Sequence, residues 1–579
     1  MIKKILRIIP ILAILFLLST LSFGQNTGTS ETESQKSLTA KEWDEDLTYL
    51  VKRLEIMHPN LYANVNKEKF NSFVDSLRKR SKNCDNFNMV AGIMELTAKI
   101  KDGHTSIDPS DDSGKQVSDL FSIYPVKTYL FPEGLYVISS LEKYSGIVGK
   151  KVIKIGNLPT DEVLEKITKY ISADNLMGIN KAIPHYWVVK NFLEYLEIKD
   201  KSPLLKITVE DQNGVKTEAE LESEPLMECF PKLFLSTFPI KNDGISTAVD
   251  NCSTPIPLWL SHPEENYWFE KLPDNNAMYL RITSMQHKSD VNFLQFCKKL
   301  FSEIDEDEIN SLIIDLRNNS GGQHFEMPLL KGIIDRPRID KKGNLFLLTN
   351  RFTFSAAQHL ATQLTRYTNV VILGEATSGK PNHYGNPKKF ILPNSKLCIM
   401  CSIVFHQDSD YQDFSTTTEP DFFVPLTYAD YKNNIDKVLE QTLAYNDYAG
   451  LQQNFVEKMS EAYKSGGLVE LKKVYFSIKP NYSKFGFNMK NLLYNELDNR
   501  MVANRKSDEE YINYLKFVSQ ELPDFAVIYN DLASWSEAAT NFEDMKKYLT
   551  KCLELNPANS IAKMQLELLE LKENFNRTH

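Results

Sequence analysis

The chain reads as a multidomain α/β protein: a helical N-terminal domain, a β-rich domain, a core of alternating strands and helices, and a helical C-terminal region. Three observations predict this. At 579 residues the chain is too long for a single hydrophobic core. Apolar residues recur at helical spacing towards both ends. In between, strand-like and helical runs alternate, as βαβ crossovers require. A formal charge of −9 leaves no basic footprint, which excludes nucleic acid as a partner.

Residues 1–24, MIKKILRIIPILAILFLLSTLSFG, place Lys3, Lys4 and Arg7 ahead of an apolar run and end in small residues. That pattern predicts a cleavable signal peptide, and the run is too short to favour an uncleaved span. The first cysteine is Cys84, so no lipid-anchor cysteine stands at the cleavage site. The expected product is exported, periplasmic or secreted, with no membrane span after cleavage. Residues 25–37 are polar and read as a linker. Thr39 and Glu42 form a T-x-x-E capping box ahead of Trp43, Leu47, Leu50 and Leu54 at helical spacing, and further helical patterns run over 67–80 and 86–100. Residues 38–105 are therefore the helical domain, ending in KDGHTSI, which places His104 in a turn.

From 118 to 225 short strand patterns such as GLYVISS and KKVIKIG surround a helical insertion at 160–198. The core, 264–445, alternates SLIIDLR, a helix near 326–335, LFLLT, a helix from Ser355, and VVILG. Functional side chains are expected at the C-terminal ends of such strands. From 450 to 579 the pattern is helical, and Pro523 and Pro557 stand 34 residues apart, each closing an amphipathic helix. That is the tetratricopeptide period, and it predicts TPR-like repeats offering a surface to a protein partner. The seven cysteines are scattered and odd in number, so no disulfide framework is expected, and Cys398 and Cys401 read as buried strand residues.

Ser355 either caps its helix or acts as a nucleophile. A helix N-terminus presents unpaired N–H groups, so the Ala356 N–H could stabilise an oxyanion formed by attack from Ser355. The strand SLIIDLR ends in NNSGG, where Gly321 and Gly322 let backbone N–H groups approach a substrate carbonyl. In order along the chain, KDGHTSI, LIIDLRNNSGG, TNRFTFSAAQ and ILGEATSGKPNHYG resemble the tail-specific (C-terminal processing) and tricorn-core serine peptidases, the S41 type. The resemblance spans roughly residues 40–430. It implies a PDZ-like domain at 118–225, a crotonase-like catalytic core at 264–445, a polypeptide substrate and no cofactor.

Carried over, the nucleophile falls on Ser355. The base is Lys380, 25 residues later, as in the processing branch, or His104, as in the tricorn branch. Histidine titrates near neutrality without tuning, whereas a lysine must be held neutral by burial, and His104 is preferred. The tricorn branch adds an orienting acid, for which Asp413 and Glu419 are the candidates. Gln358 stands where many relatives have glutamate, and Tyr384 where the processing branch has glutamine.

GEATSGKP follows a strand and fits a P-loop, but Pro381 replaces the magnesium-binding hydroxyl. His359, one helical turn beyond Ser355, ranks third as a base. The ten histidines show no H-E-x-x-H motif and no dense cluster in sequence, so no metal site is expected. The rival function is a non-catalytic ligand- or protein-binding module on the same fold, and a third is an esterase or amidase using the same triad logic.

Overall fold

The computed structural model describes residues 37–108, 121–199, 202–234, 236–238, 244–289, 291–411, 413–482, 485–504, 507–556 and 559–578. The expected signal peptide, nearly all of the expected polar linker, and Pro557 lie outside these. The described residues form two compact units. One holds everything up to Thr418 together with Pro425–Leu439, and the other holds Glu419–Val424 and the chain from Glu440 on.

The first unit opens with helices α1 (Ala40–Met57), α2 (Lys67–Arg80) and α3 (Asn86–Ala98). The capping box starts α1: the Glu42 N–H donates to Thr39 Oγ1 at 3.3 Å and the Thr39 N–H to Glu42 Oε2 at 2.7 Å. Trp43, Leu47, Leu50 and Leu54 form its buried stripe against Phe70 and Leu77 of α2 and Ile93 of α3. The chain then turns at 102–105 into strand β1 (Ser106–Asp108).

Strands β2 (Val126–Phe131) and β3 (Gly134–Leu141) form a hairpin. With β4 (Lys151–Ile155), β5 (Leu204–Glu210), β6 (Lys216–Glu222) and β7 (Ile245–Thr247) they build a sheet in the order β7-β3-β4-β5-β6, with β2 on β3. Between β4 and β5 stand α4 (Thr160–Thr168), α5 (Leu176–Tyr186) and α6 (Lys190–Tyr195), which occupy the expected helical insertion.

In the core, β8 (Tyr267–Leu272) runs antiparallel to β9 (Ala277–Ile282). Strands β10 (Ser311–Asp315), β11 (Leu345–Thr349) and β12 (Val371–Gly374) then follow, each parallel to the one before. Helices α7 (Phe293–Glu306), α8 (Met327–Ile334) and α9 (Ala356–Tyr367) make the crossovers. Every residue of β11 is buried, as expected of a parallel strand covered on both faces. Leu360, Ala361 and Leu364 of α9 share a core with Ile314 and Leu347.

Beyond β12 come β13 (Asn382–Gly385), β14 (Lys388–Ile391), β15 (Cys398–Cys401) and β16 (Val404–Gln407). Strand β15 pairs with β14 on one side and with β1 on the other. That second pairing draws the turn carrying His104 onto the core. Strand β13 pairs with β16, placing His383 directly across from His406. Cys398 and Cys401 are buried residues of β15. The P-loop look-alike leads into β13 rather than a helix, so it lacks the helix N-terminus a phosphate site needs.

The second unit is helical. A long element, Tyr445–Tyr482, breaks at Gly467 with φ 65°. Helices Asp508–Glu521, Ala526–Ala538, Phe542–Leu555 and Ser560–Thr578 follow, and successive ones pack together.

Candidate active site

Strand β11 reaches α9 through an elbow. The Ala357 N–H donates to the Phe354 carbonyl at 3.1 Å, and Ser355 between them has φ 55° and ψ −125°. These angles belong to the first central position of a type II′ turn, where glycine is the usual residue. A serine held there is strained, which favours positions that the surroundings over-determine. The elbow is tied to the neighbouring strand end. The Phe354 N–H donates to the Asn319 carbonyl at 3.0 Å, the Asn318 N–H to Asn350 Oδ1 at 2.9 Å, and Asn350 Nδ2 to Asn318 Oδ1 at 2.9 Å. Ser355 does not cap α9 with its side chain. Its Oγ lies 2.9 Å from His104 Nε2.

His104 is buried, stacked on Phe354 with ring centroids 4.4 Å apart. Burial, together with the nearby His406, Lys181 and His359, outweighs the Asp102 carboxylate and lowers its pKa to about 4. The ring is therefore neutral near pH 7 and able to accept a proton. Its other nitrogen, Nδ1, has no hydrogen-bond partner and lies 3.9 Å from Asp102 Oδ1.

Asp102 is fully buried and fixes the turn. Its Oδ1 accepts the His104 N–H at 2.9 Å. Its Oδ2 accepts from His58 Nε2 at 3.2 Å, Thr105 Oγ1 at 2.5 Å and Ser402 Oγ at 2.6 Å. His58 Nδ1 accepts the Asn60 N–H at 3.1 Å, which leaves Nε2 as the protonated, donating nitrogen. Burial alone would raise the Asp102 carboxyl, but His58, His104 and the two hydroxyls outweigh it and hold it at about 2.

The glycine loop faces the elbow. Gly321 has φ 101°, and a Cβ there would stand 2.6 Å from Ser355 Cβ and 2.7 Å from the Ala356 nitrogen. Gly322 has φ 140°, and a Cβ there would meet the Met285 carbonyl at 2.3 Å. The Gly321 N–H already donates to Asn319 Oδ1 at 2.9 Å. Among the described residues no acceptor is recorded for the N–H of Gly322 or of Ala356, so Gly322 rather than Gly321 is free to donate alongside Ala356.

The other candidates lie elsewhere. Lys380 is half-buried, with no recorded hydrogen bond to Ser355. It acts on Asp174, whose carboxyl burial raises to about 6 while Lys380 pulls it down. Asp413 bonds to the Ser415 N–H at 2.9 Å, and Glu419 belongs to the second unit, where it pairs with Lys490 at 3.5 Å. The acid beside His104 is Asp102, two residues away in the same motif. Gln358 donates to Thr362 Oγ1 and Thr418 Oγ1 at 3.0 and 2.7 Å, a buried structural role. The ring of Tyr384 lies 4.6 Å from that of His58.

His359 pairs through Nδ1 with Asp408 and not with Ser355 Oγ. Though scattered in sequence, His324, His359, His383 and His406 come together in space. The helical insertion also contributes unexpectedly. Asp174 Oδ1 accepts the Gly103 N–H at 2.9 Å, and Lys181 Nζ lies 4.9 Å from the centre of the Phe354 ring.

A serine on a strand-to-helix elbow, bonded to a buried neutral histidine and facing a glycine loop, has the parts of a serine-type hydrolase. Residues 276–338 match the model of Peptidase family S41. It is 28% identical over 133 residues to the tail-specific protease of Haemophilus influenzae, covering 19% of this chain and 19% of that protein. The chain thus aligns with about a fifth of that relative's length. Among solved structures it is similar to mature CPAF complexed with lactacystin, with 13% identity, TM-score 0.47, and 70% and 99% of the two chains covered. It is also similar to the photosystem II D1 C-terminal processing protease, with 13% identity, TM-score 0.32, and 67% and 93% covered.

Proposed function

We propose that this protein is an exported serine peptidase acting on polypeptides. The observation that carries the reading is the 2.9 Å hydrogen bond between Ser355 Oγ and His104 Nε2, made by a serine held in a glycine-type conformation. In the mechanism, His104 Nε2 accepts the Ser355 proton as Oγ attacks the peptide carbonyl. The proton on Nδ1 then faces the Asp102 carboxylate, which stabilises the imidazolium. The Gly322 and Ala356 N–H groups receive the tetrahedral oxyanion. His104 returns its proton to the leaving amine, and water repeats the sequence to release the acyl group.

The polypeptide substrate is inferred from the S41 match and from the relative named as a tail-specific protease. Export rests on the signal-like residues 1–24. Among the described residues no helix is long and apolar enough to cross a membrane. On this reading the β-rich sheet is PDZ-like and receives a polypeptide end as an added strand, the core is crotonase-like, and the TPR-like helices of the second unit present a surface to a protein partner.

The test is labelling of the purified protein with a fluorophosphonate, followed by cleavage assays on peptides and on a simple aryl ester. Labelling is expected to vanish in Ser355→Ala and His104→Ala and to persist in Lys380→Ala, with peptide cleavage following the same pattern. Labelling that survives His104→Ala and fails in Lys380→Ala would transfer the base to lysine. A folded wild type that never labels would support a binding module, and ester turnover without peptide cleavage would support an esterase.

A further inference from the structure

Beside the serine–histidine pair, the core gathers four imidazoles from three separate parts of the chain. His359 lies on the first turn of α9, His383 and His406 face each other across the β13–β16 ribbon, and His324 follows the glycine loop. Ring centroids stand 4.1 Å apart for His324 and His359, 4.5 Å for His359 and His406, and 4.8 Å for His359 and His383. One ligand nitrogen from each of His324, His359 and His406 lies within 4.8 Å of the other two.

The tautomers of two of these rings, His359 and His383, are set by their neighbours. His359 Nδ1 faces the Asp408 carboxylate, which fixes the proton on that nitrogen, while its Nε2 is buried with no partner. A carboxylate behind a histidine is the usual device for aiming the opposite nitrogen at a metal. His383 Nδ1 lies 3.1 Å from the Lys380 carbonyl and donates to it, so the lone pair sits on Nε2. A buried, lone-pair-bearing nitrogen is satisfied by a donor or a cation, and among the described residues no donor reaches His359 Nε2.

We propose that this cluster binds one divalent transition ion of the zinc class, with His324, His359 and His406 as ligands, His383 alongside as a further imidazole, and Asp408 behind His359. Imidazole donors select zinc, nickel or copper over calcium or magnesium. Zinc–nitrogen bonds of about 2.0–2.1 Å place tetrahedral ligands about 3.3 Å apart, so the rings must turn inward by roughly an ångström. His324 is exposed and His406 half-buried, which gives them room to turn and gives the ion an entry path. The site adjoins the candidate active site, because the His383 ring stacks on His104 at 5.9 Å with planes 15° apart.

Binding is independent of whether Ser355 is a nucleophile, and it is tested without an activity assay. Full-length protein made without a histidine tag and stripped with EDTA is titrated with Co²⁺, read by the visible absorption of four-coordinate cobalt. Zn²⁺ is then added to displace it. One equivalent of Co²⁺, displaced by Zn²⁺, is expected for the wild type and for Ser355→Ala. Affinity should fall on the order of 10–100-fold in Asp408→Asn, and by at least as much in His324→Gln and His406→Gln. The two histidine variants change exposed or half-buried side chains and keep the buried His359 in place, so they should stay folded. A folded wild type that binds no Co²⁺, or binding that persists unchanged in both His324→Gln and His406→Gln, would overturn the proposal.

Discussion

Ser355 has a conformation that its side chain does not favour, and this separates its two readings. A helix cap adopts an extended backbone and hydrogen-bonds to the first turn. Ser355 does neither, with φ 55° and no capping bond. A non-glycine residue in such a region costs about 1–3 kcal/mol, so the cost should be recoverable when function is discarded. Ser355→Gly should be more stable than Ser355→Ala by about 1 kcal/mol, the relieved strain being partly offset by the freedom glycine gains when unfolded. Chemical denaturation of the two inactive variants measures this. Equal stabilities, or a less stable glycine variant, would show that the elbow is unstrained. The serine at a strand-to-helix junction was legible in the sequence. Its dihedral angles were not, because they come from the hydrogen bonds that tie Phe354 to Asn319 and Asn350 to Asn318.

At the scale of elements, one short pairing assembles the candidate site. Strand β1 runs from Ser106 to Asp108 and pairs with β15, and it delivers Asp102 and His104 to a serine 251 residues away. Core alternation and the main helices could be read from periodicity, since each is a local pattern. This pairing could not, because three residues carry no period, and for the same reason Asp413 and Glu419 were considered while Asp102 was overlooked. The histidine cluster was hidden likewise, its members being separated by tens of residues and joined only by α9 and the β13–β16 ribbon. Asp102 accepts donors at both oxygens, so Asp102→Asn forces an N–H to face another donor and misplaces His104. Turnover should fall on the order of 100-fold with KM little changed. A purely structural role would not move the pH profile, which is the decisive readout. In the wild type the acid limb of kcat/KM should lie near pH 4, where His104 gains its proton. Asp102 raises the pKa of His104, so removing its charge should shift that limb to lower pH. An acid limb unmoved in the variant would remove Asp102 from the positioning of His104.

For the molecule as a whole, the burial that keeps imidazoles neutral also makes the fold acid-sensitive. Burial lowers His104 to about 4 and holds His383 well below the ordinary histidine value, whereas an unfolded histidine titrates near about 6.5. Between those limits the unfolded chain takes up protons that the folded chain refuses. The stability due to these groups is therefore fully present above about pH 6.5 and is lost as pH falls towards 4. Asp174 works the other way. Its carboxyl is raised to about 6, so the folded chain holds that proton more tightly, and this offsets one histidine between about pH 6 and 4. Asp102, held at about 2, adds its loss only below about pH 4. Each buried neutral histidine steepens the dependence by up to about 1.4 kcal/mol per pH unit. His104→Gln removes one such group, so in EDTA its unfolding free energy should vary less steeply between pH 6 and 5 than that of the wild type, by roughly one proton. The measurement is denaturant titration of both proteins at those two pH values. It should follow a probe within the first unit, such as the buried Trp187, because two compact units need not unfold together. Parallel pH dependences would mean that His104 exchanges its proton in the folded state as freely as in the unfolded one, and the neutral base on which the proposed mechanism depends would be lost with them.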